Sequence, residues 1–136
     1  SALVPLQRVQ DPERAQVLLE RRKPPLRAVG RGWRASNGRS QLQLLEVRRR
    51  DVWRFEPQVT VLVSPHLRGE VLQATALHEL GHAFGLWGHS PEPTDAMAVH
   101  QGQRPVLELS ERDRLTLRWV RDQPNDFGRP ALQSLP

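Results

Sequence analysis

The residues with the clearest chemistry are His78, Glu79, His82 and His89, in the run His78-Glu79-Leu80-Gly81-His82-Ala83-Phe84-Gly85-Leu86-Trp87-Gly88-His89. On a helix, side chains four apart share a face, so His78 and His82 can offer two imidazoles to one metal ion. Glu79 lies one step round, where its carboxylate can reach a water in an open coordination position. Gly85 follows a turn later, where a residue without Cβ can take a positive φ and stop the helix. The chain can then swing back and deliver His89. Three nitrogen ligands plus water describe a catalytic zinc site, whereas a structural site is closed by four protein ligands. His89 is the expected third ligand, with Asp95 or His100 as the alternatives if His89 faces solvent.

The elements that must position these groups are only partly legible. Val4–Val9 and Ala15–Glu20 are strand candidates, the second stopped by Pro24-Pro25. Gly30–Arg39 carries three glycines and Asn37 and is expected to be a loop. Leu42–Val47 is a third strand candidate. Gln58–Val63 is the best, β-branched and apolar enough to be buried on both faces. A helix is expected over about Gly69–Leu86, with Val71, Leu72, Leu77, Leu80 and Phe84 supplying a broad apolar surface. A second helix starts at the capping pattern Ser110-Glu111-Arg112-Asp113, buries Leu115, Leu117, Trp119 and Val120, and ends by Pro124. Strands precede helices without regular alternation, which points to an α+β fold with a mixed sheet.

The 136 residues suit a single domain spanning 1–136, with 122–136 an irregular tail. There is no cysteine, which excludes disulfides and thiolate metal sites within the chain. No run approaches the roughly 18 apolar residues of a bilayer span, so no membrane partner is expected. A net charge of +5 with pI near 11.3 raises the question of nucleic acid. Of 20 basic residues only Lys23 is lysine, and the dense runs Arg21-Arg22-Lys23 and Arg48-Arg49-Arg50 flank strand candidates, where charge solvates an edge. No aromatic-rich or helix-turn-helix signature accompanies the charge, and no nucleic-acid partner is expected.

The run His78–His89, the Ser90 after it and Asp95-Ala96-Met97 together resemble a metzincin zinc endopeptidase, specifically a matrixin-like one. In that family a methionine occupies a tight turn beneath the zinc, and Met97, the one methionine of the chain, stands in that place. The resemblance covers roughly residues 15–121. It implies a metzincin-like twisted mixed sheet with an active-site helix and a C-terminal helix. It also implies one catalytic Zn2+ held by His78, His82 and His89, with Glu79 as general base, and a floor made by Met97. The activity implied is hydrolysis of peptide bonds in a protein or peptide substrate, by a monomer that is secreted or in the cell envelope. Substrate backbone would add to Gln58–Val63 as the antiparallel edge lining the cleft, and the stretch from Met97 through Pro105 to Leu109 would wall a side-chain pocket.

Three departures qualify the match. The matrixin spacing is HExxHxxGxxH, whereas Gly88 stands at the third-ligand place here and His89 comes one residue later, with Gly88 expected to absorb the extra residue. The chain has no tyrosine, so oxyanion stabilisation falls to the metal and a backbone amide, or to His100. Residues 1–14 are too few for the strand and long helix that open matrixin-like domains, so a minimal or N-terminally shortened version is expected. No calcium loop is evident. The rival expectation is a metzincin-fold binding protein that is weakly catalytic or inactive.

Overall fold

The computed structural model describes residues 3–130, an α+β arrangement of two helices and a mixed sheet. The sheet has the order β1-β5-β4, with β1 (Val17–Arg21) parallel and β4 (Gly38–Arg49) antiparallel to β5 (Val52–Val63). β5 is central because its second half can be buried: Val59, Val61, Leu62 and Val63 are each at most 3% exposed. It is therefore not the cleft-lining edge expected from the resemblance. β4 is the antiparallel edge, since β5 is already paired on both sides over Val59–Val63.

β4 and β5 form one long hairpin, each strand 12 residues, joined across Arg50-Asp51. Both turn residues take positive φ (49° and 64°), the geometry whose twist matches the flanking strands. Two arginines of the run at this end are paired locally: Arg49 holds Glu56 through two hydrogen bonds of 3.0 and 2.8 Å, and Arg48 lies 3.0 Å from Asp51.

Two expectations for the first half fail. Val4–Val9 is not a strand; Pro5 interrupts it, and Val4 packs instead against Leu86, Met97 and Leu117. The Gly30–Arg39 stretch is not simply a loop. Gly30, at φ 59°, turns a small hairpin of β2 (Arg27–Val29) and β3 (Gly32–Arg34), and β4 begins at Gly38.

Helix α1 (Gly69–Ala83) lays Leu72, Ala76, Leu80 and Ala83 over Val59, Val61 and Val63. Those helix positions recur every three or four residues and the strand positions every second one, so each element turns one apolar face to the other. The helix ends at Ala83, short of Leu86, because Gly85 takes φ 109°. A Cβ at Gly85 would also meet Cγ1 of Val120 at 2.7 Å, so glycine is required there twice over. Helix α2 (Glu111–Asp122) starts at a full capping box, Ser110 with Asp113, and buries Leu117 against Leu86 and Met97 with Val120 half-buried beside it, whereas Leu115 and Trp119, expected on the buried side, are exposed. The irregular tail expected from 122 begins one residue later, since Asp122 closes α2; it runs to Arg129, and Pro130 forms one antiparallel bridge to Arg54, while positions 131–136 lie outside the described residues. No helix among the described residues is long and apolar enough to cross a membrane.

Candidate metal centre

His78 and His82 sit on the last turns of α1, and the sharp exit at Gly85 returns the chain across their face with His89. One ligand atom from each of the three rings lies within 4.8 Å of the others, a group that could hold a metal ion. The ring of His89 stacks on His78 (centroids 5.2 Å, 20° between planes) and meets His82 edge-on at 4.8 Å.

The donor chemistry fits a cation. Nδ1 of His78 lies 2.8 Å from the Ala96 carbonyl, and Nδ1 of His82 lies 2.6 Å from the Leu86 carbonyl. A carbonyl can only accept, so both Nδ1 atoms carry a proton, which leaves Nε2 of each ring as the nitrogen open to a metal. Burial lowers the pKa of His82 and, with the neighbouring His78, that of His89, a direction that favours the neutral form a metal needs. Tetrahedral zinc–nitrogen bonds of about 2.0–2.1 Å put ligand atoms roughly 3.3 Å apart, so the group closes on an ion by small side-chain rotations.

The backbone carbonyl that orients His78 is itself held. The Ala96 N–H donates to Oδ2 of Asp113 (2.7 Å), which also accepts from the Ser110 N–H at 3.2 Å. The cap of α2 thus fixes the turn that fixes the histidine. Gln101 grips the same place, its Nε2 donating to the Ala96 carbonyl and its Oε1 accepting from the Val106 N–H, both at 3.3 Å. Met97 is buried beneath, packed on Leu86 and Leu117, with its thioether against Gly81, where a Cβ would crowd the sulfur and force it to shift. Ser90, just past His89, ties this turn to the ligand loop through Ser90 N–H to Met97 O (2.8 Å) and Val99 N–H to Ser90 O (3.1 Å).

The alternatives for the third ligand are engaged or remote. Asp95 is buried and accepts from Ser90 Oγ at 2.5 Å, with Arg112 3.6 Å away. Hydrogen bonds from Ser90 and Ser110 hold its carboxyl below the usual range. His100 is exposed and outside the cluster. Gly88 does not absorb the extra residue by an unusual conformation: its φ is not positive, and a Cβ there would meet nothing within 4 Å.

Glu79 is 7% exposed, and burial pushes its carboxyl pKa up. The Ser40 hydroxyl lies 2.8 Å from Glu79 Oε2 and equally close to the Glu79 carbonyl, so its single proton chooses between them. Gly38 closes the same side, where a Cβ would lie 2.8 Å from Oε1. Glu79 is therefore walled by the free edge strand β4. Sequence reasoning missed Ser40, Gln101 and the buried role of Asp113. Only Asp113 carried a signal, as part of the cap. Comparison with protein-family models, curated proteins and solved structures found no match to this chain.

Proposed function

We propose that the chain is a zinc-dependent endopeptidase of matrixin-like metzincin type, with His78, His82 and His89 as metal ligands and Glu79 as general base. The observation that carries it is the convergence of three imidazoles, two with Nδ1 already bound to carbonyls, beside a buried carboxylate that no metal cage needs. Zinc, when bound, supplies Lewis acidity that polarises a carbonyl and acidifies water.

The protein's own groups do the rest. Glu79 takes a proton from the attacking water as the water oxygen bonds to the scissile carbonyl carbon, and returns it to the amine as the C–N bond breaks. Its raised pKa suits a group that must hold the proton between these events. Ser40 fixes the carboxylate's orientation from β4. The outer edge of β4 offers a substrate backbone a strand to pair with, and at Gly38–Ser40 that edge passes beside Glu79.

A second reading, a metal-binding protein without catalysis, is favoured by one fact: the chain has no tyrosine to stabilise an oxyanion. Casein digestion separates the two. The endopeptidase reading predicts cleavage that chelator abolishes, that zinc restores and that Glu79→Ala removes without loss of bound metal. Cleavage undiminished in Glu79→Ala contradicts it.

A further inference from the structure

Trp87 falls in the segment that makes the ligand loop one residue longer than the familiar spacing, and it is the one tryptophan that touches the centre in a defined way. Its indole lies parallel to the His82 imidazole, centroids 5.8 Å apart and planes 11° from parallel. That is the offset-stacked arrangement aromatic pairs prefer. The residue before it, Leu86, is buried and supplies the carbonyl that takes the His82 Nδ1 proton. The turn at Gly85 thus grips one histidine twice: a hydrogen bond fixes one end of the ring, and the indole fixes its plane. His78 and His89 both meet His82 edge-on, so neither restrains that plane as a stacked ring does.

We propose that Trp87 is a positioning residue of the metal centre, holding His82 in the ligating orientation and shielding its outer face from water. The extra loop residue then has a use: it lets the chain lay an indole on His82 before turning to present His89. At 43% exposed, Trp87 leaves its other side to solvent, which makes it dispensable for the core and free to serve this role. The proposal rests on the metal-centre reading, and it concerns affinity rather than the chemical step. Partners that orient metal-bound histidines typically account for roughly 10–100-fold in metal affinity.

The test is zinc affinity by competition with a chromophoric chelator, on the full chain and three variants. Trp87→Ala should bind zinc about tenfold more weakly. Trp87→Phe, which can still stack, should fall within about threefold of the parent, whereas Trp87→Leu, which fills space without stacking, should resemble Trp87→Ala. Cobalt should dim tryptophan fluorescence in the parent more than in Trp87→Phe. If Leu serves as well as Phe, or if Ala binds as tightly as the parent, Trp87 is not a positioning residue, though the metal site stands. If the parent binds no zinc, the triad itself is refuted and this role with it. Should Trp87→Ala fail to fold by circular dichroism, the Phe–Leu pair still decides.

Discussion

Substituting Gly81 by alanine presses on the contact between α1 and the turn carrying Met97. A Cβ there would stand 3.2 Å from Met97 Cε and 3.6 Å from Cγ, and nearer still to Sδ. Methionine is flexible, but this one is 3% exposed and packed with Leu86 and Leu117, so moving it disturbs that cluster. Overpacking of this kind costs about 1–3 kcal/mol. Alanine in place of a helical glycine returns about 1 kcal/mol, leaving a net loss of up to about 2 kcal/mol. For a domain of this size that is up to roughly 8 °C in Tm. Thermal melts followed by circular dichroism, with chelator present so that metal binding does not shift the midpoint, would measure it. Gly88→Ala is the control, since a Cβ there meets nothing, and it should melt with the parent. The pair Gly81→Ala with Met97→Ala should lose less than the sum of the two, because the smaller residue 97 vacates the space that the new Cβ needs. Strict additivity in the double variant would refute the contact and with it the idea that Met97 floors the site.

Other consequences follow from the hydrogen bonds around the centre. Ser40→Ala should lower kcat for peptide cleavage by roughly tenfold, the scale of a lost orienting hydrogen bond of about 1.5 kcal/mol to a charged group, while zinc stoichiometry is unchanged. Asp113→Ala removes the acceptor of two backbone donors, the Ser110 N–H of the capping box and the Ala96 N–H, while leaving the Ser110 cap itself; it should cost about 2 kcal/mol in denaturant unfolding and weaken zinc binding through His78. The Asp95 carboxyl has a folded pKa below its unfolded value near 3.9. The stability it contributes is therefore full above about pH 4 and is lost as pH falls through the folded pKa. An Asp95→Asn protein should lack that component of the acid transition in urea melts between about pH 2 and 5.

How far the sequence carried varied with the kind of interaction involved. Local signals were readable: the capping box at Ser110 fixes the start of α2, and Gly85 stops α1 within three residues of the expected end. The histidine spacing placed His78 and His82 on one face of α1, and the fold brings His89 into their group although neither spacing nor helix geometry alone demanded it. Non-local pairing was not readable. The Gln58–Val63 run was strong enough to mark a strand, but whether it is central or an edge depends on β1 arriving from 40 residues away, which leaves no local trace. The small hairpin at Arg27–Arg34 was hidden because its glycines read as loop and its strands are exposed, without an apolar alternation to reveal them. Ser40 was invisible for the same reason: its meeting with Glu79 spans 39 residues and is made by the register of β4 against the helix.

The central claim is that His78, His82 and His89 form one metal centre, and isothermal titration of zinc into metal-free protein tests it most directly. A single high-affinity equivalent per chain is expected, abolished by His78→Ala or His82→Ala and weakened at least about a hundredfold by His89→Ala, with Asp95→Asn and His100→Ala binding as the parent does. Zinc binding that survives His89→Ala intact, or that is lost on removing Asp95 or His100 instead, would contradict it.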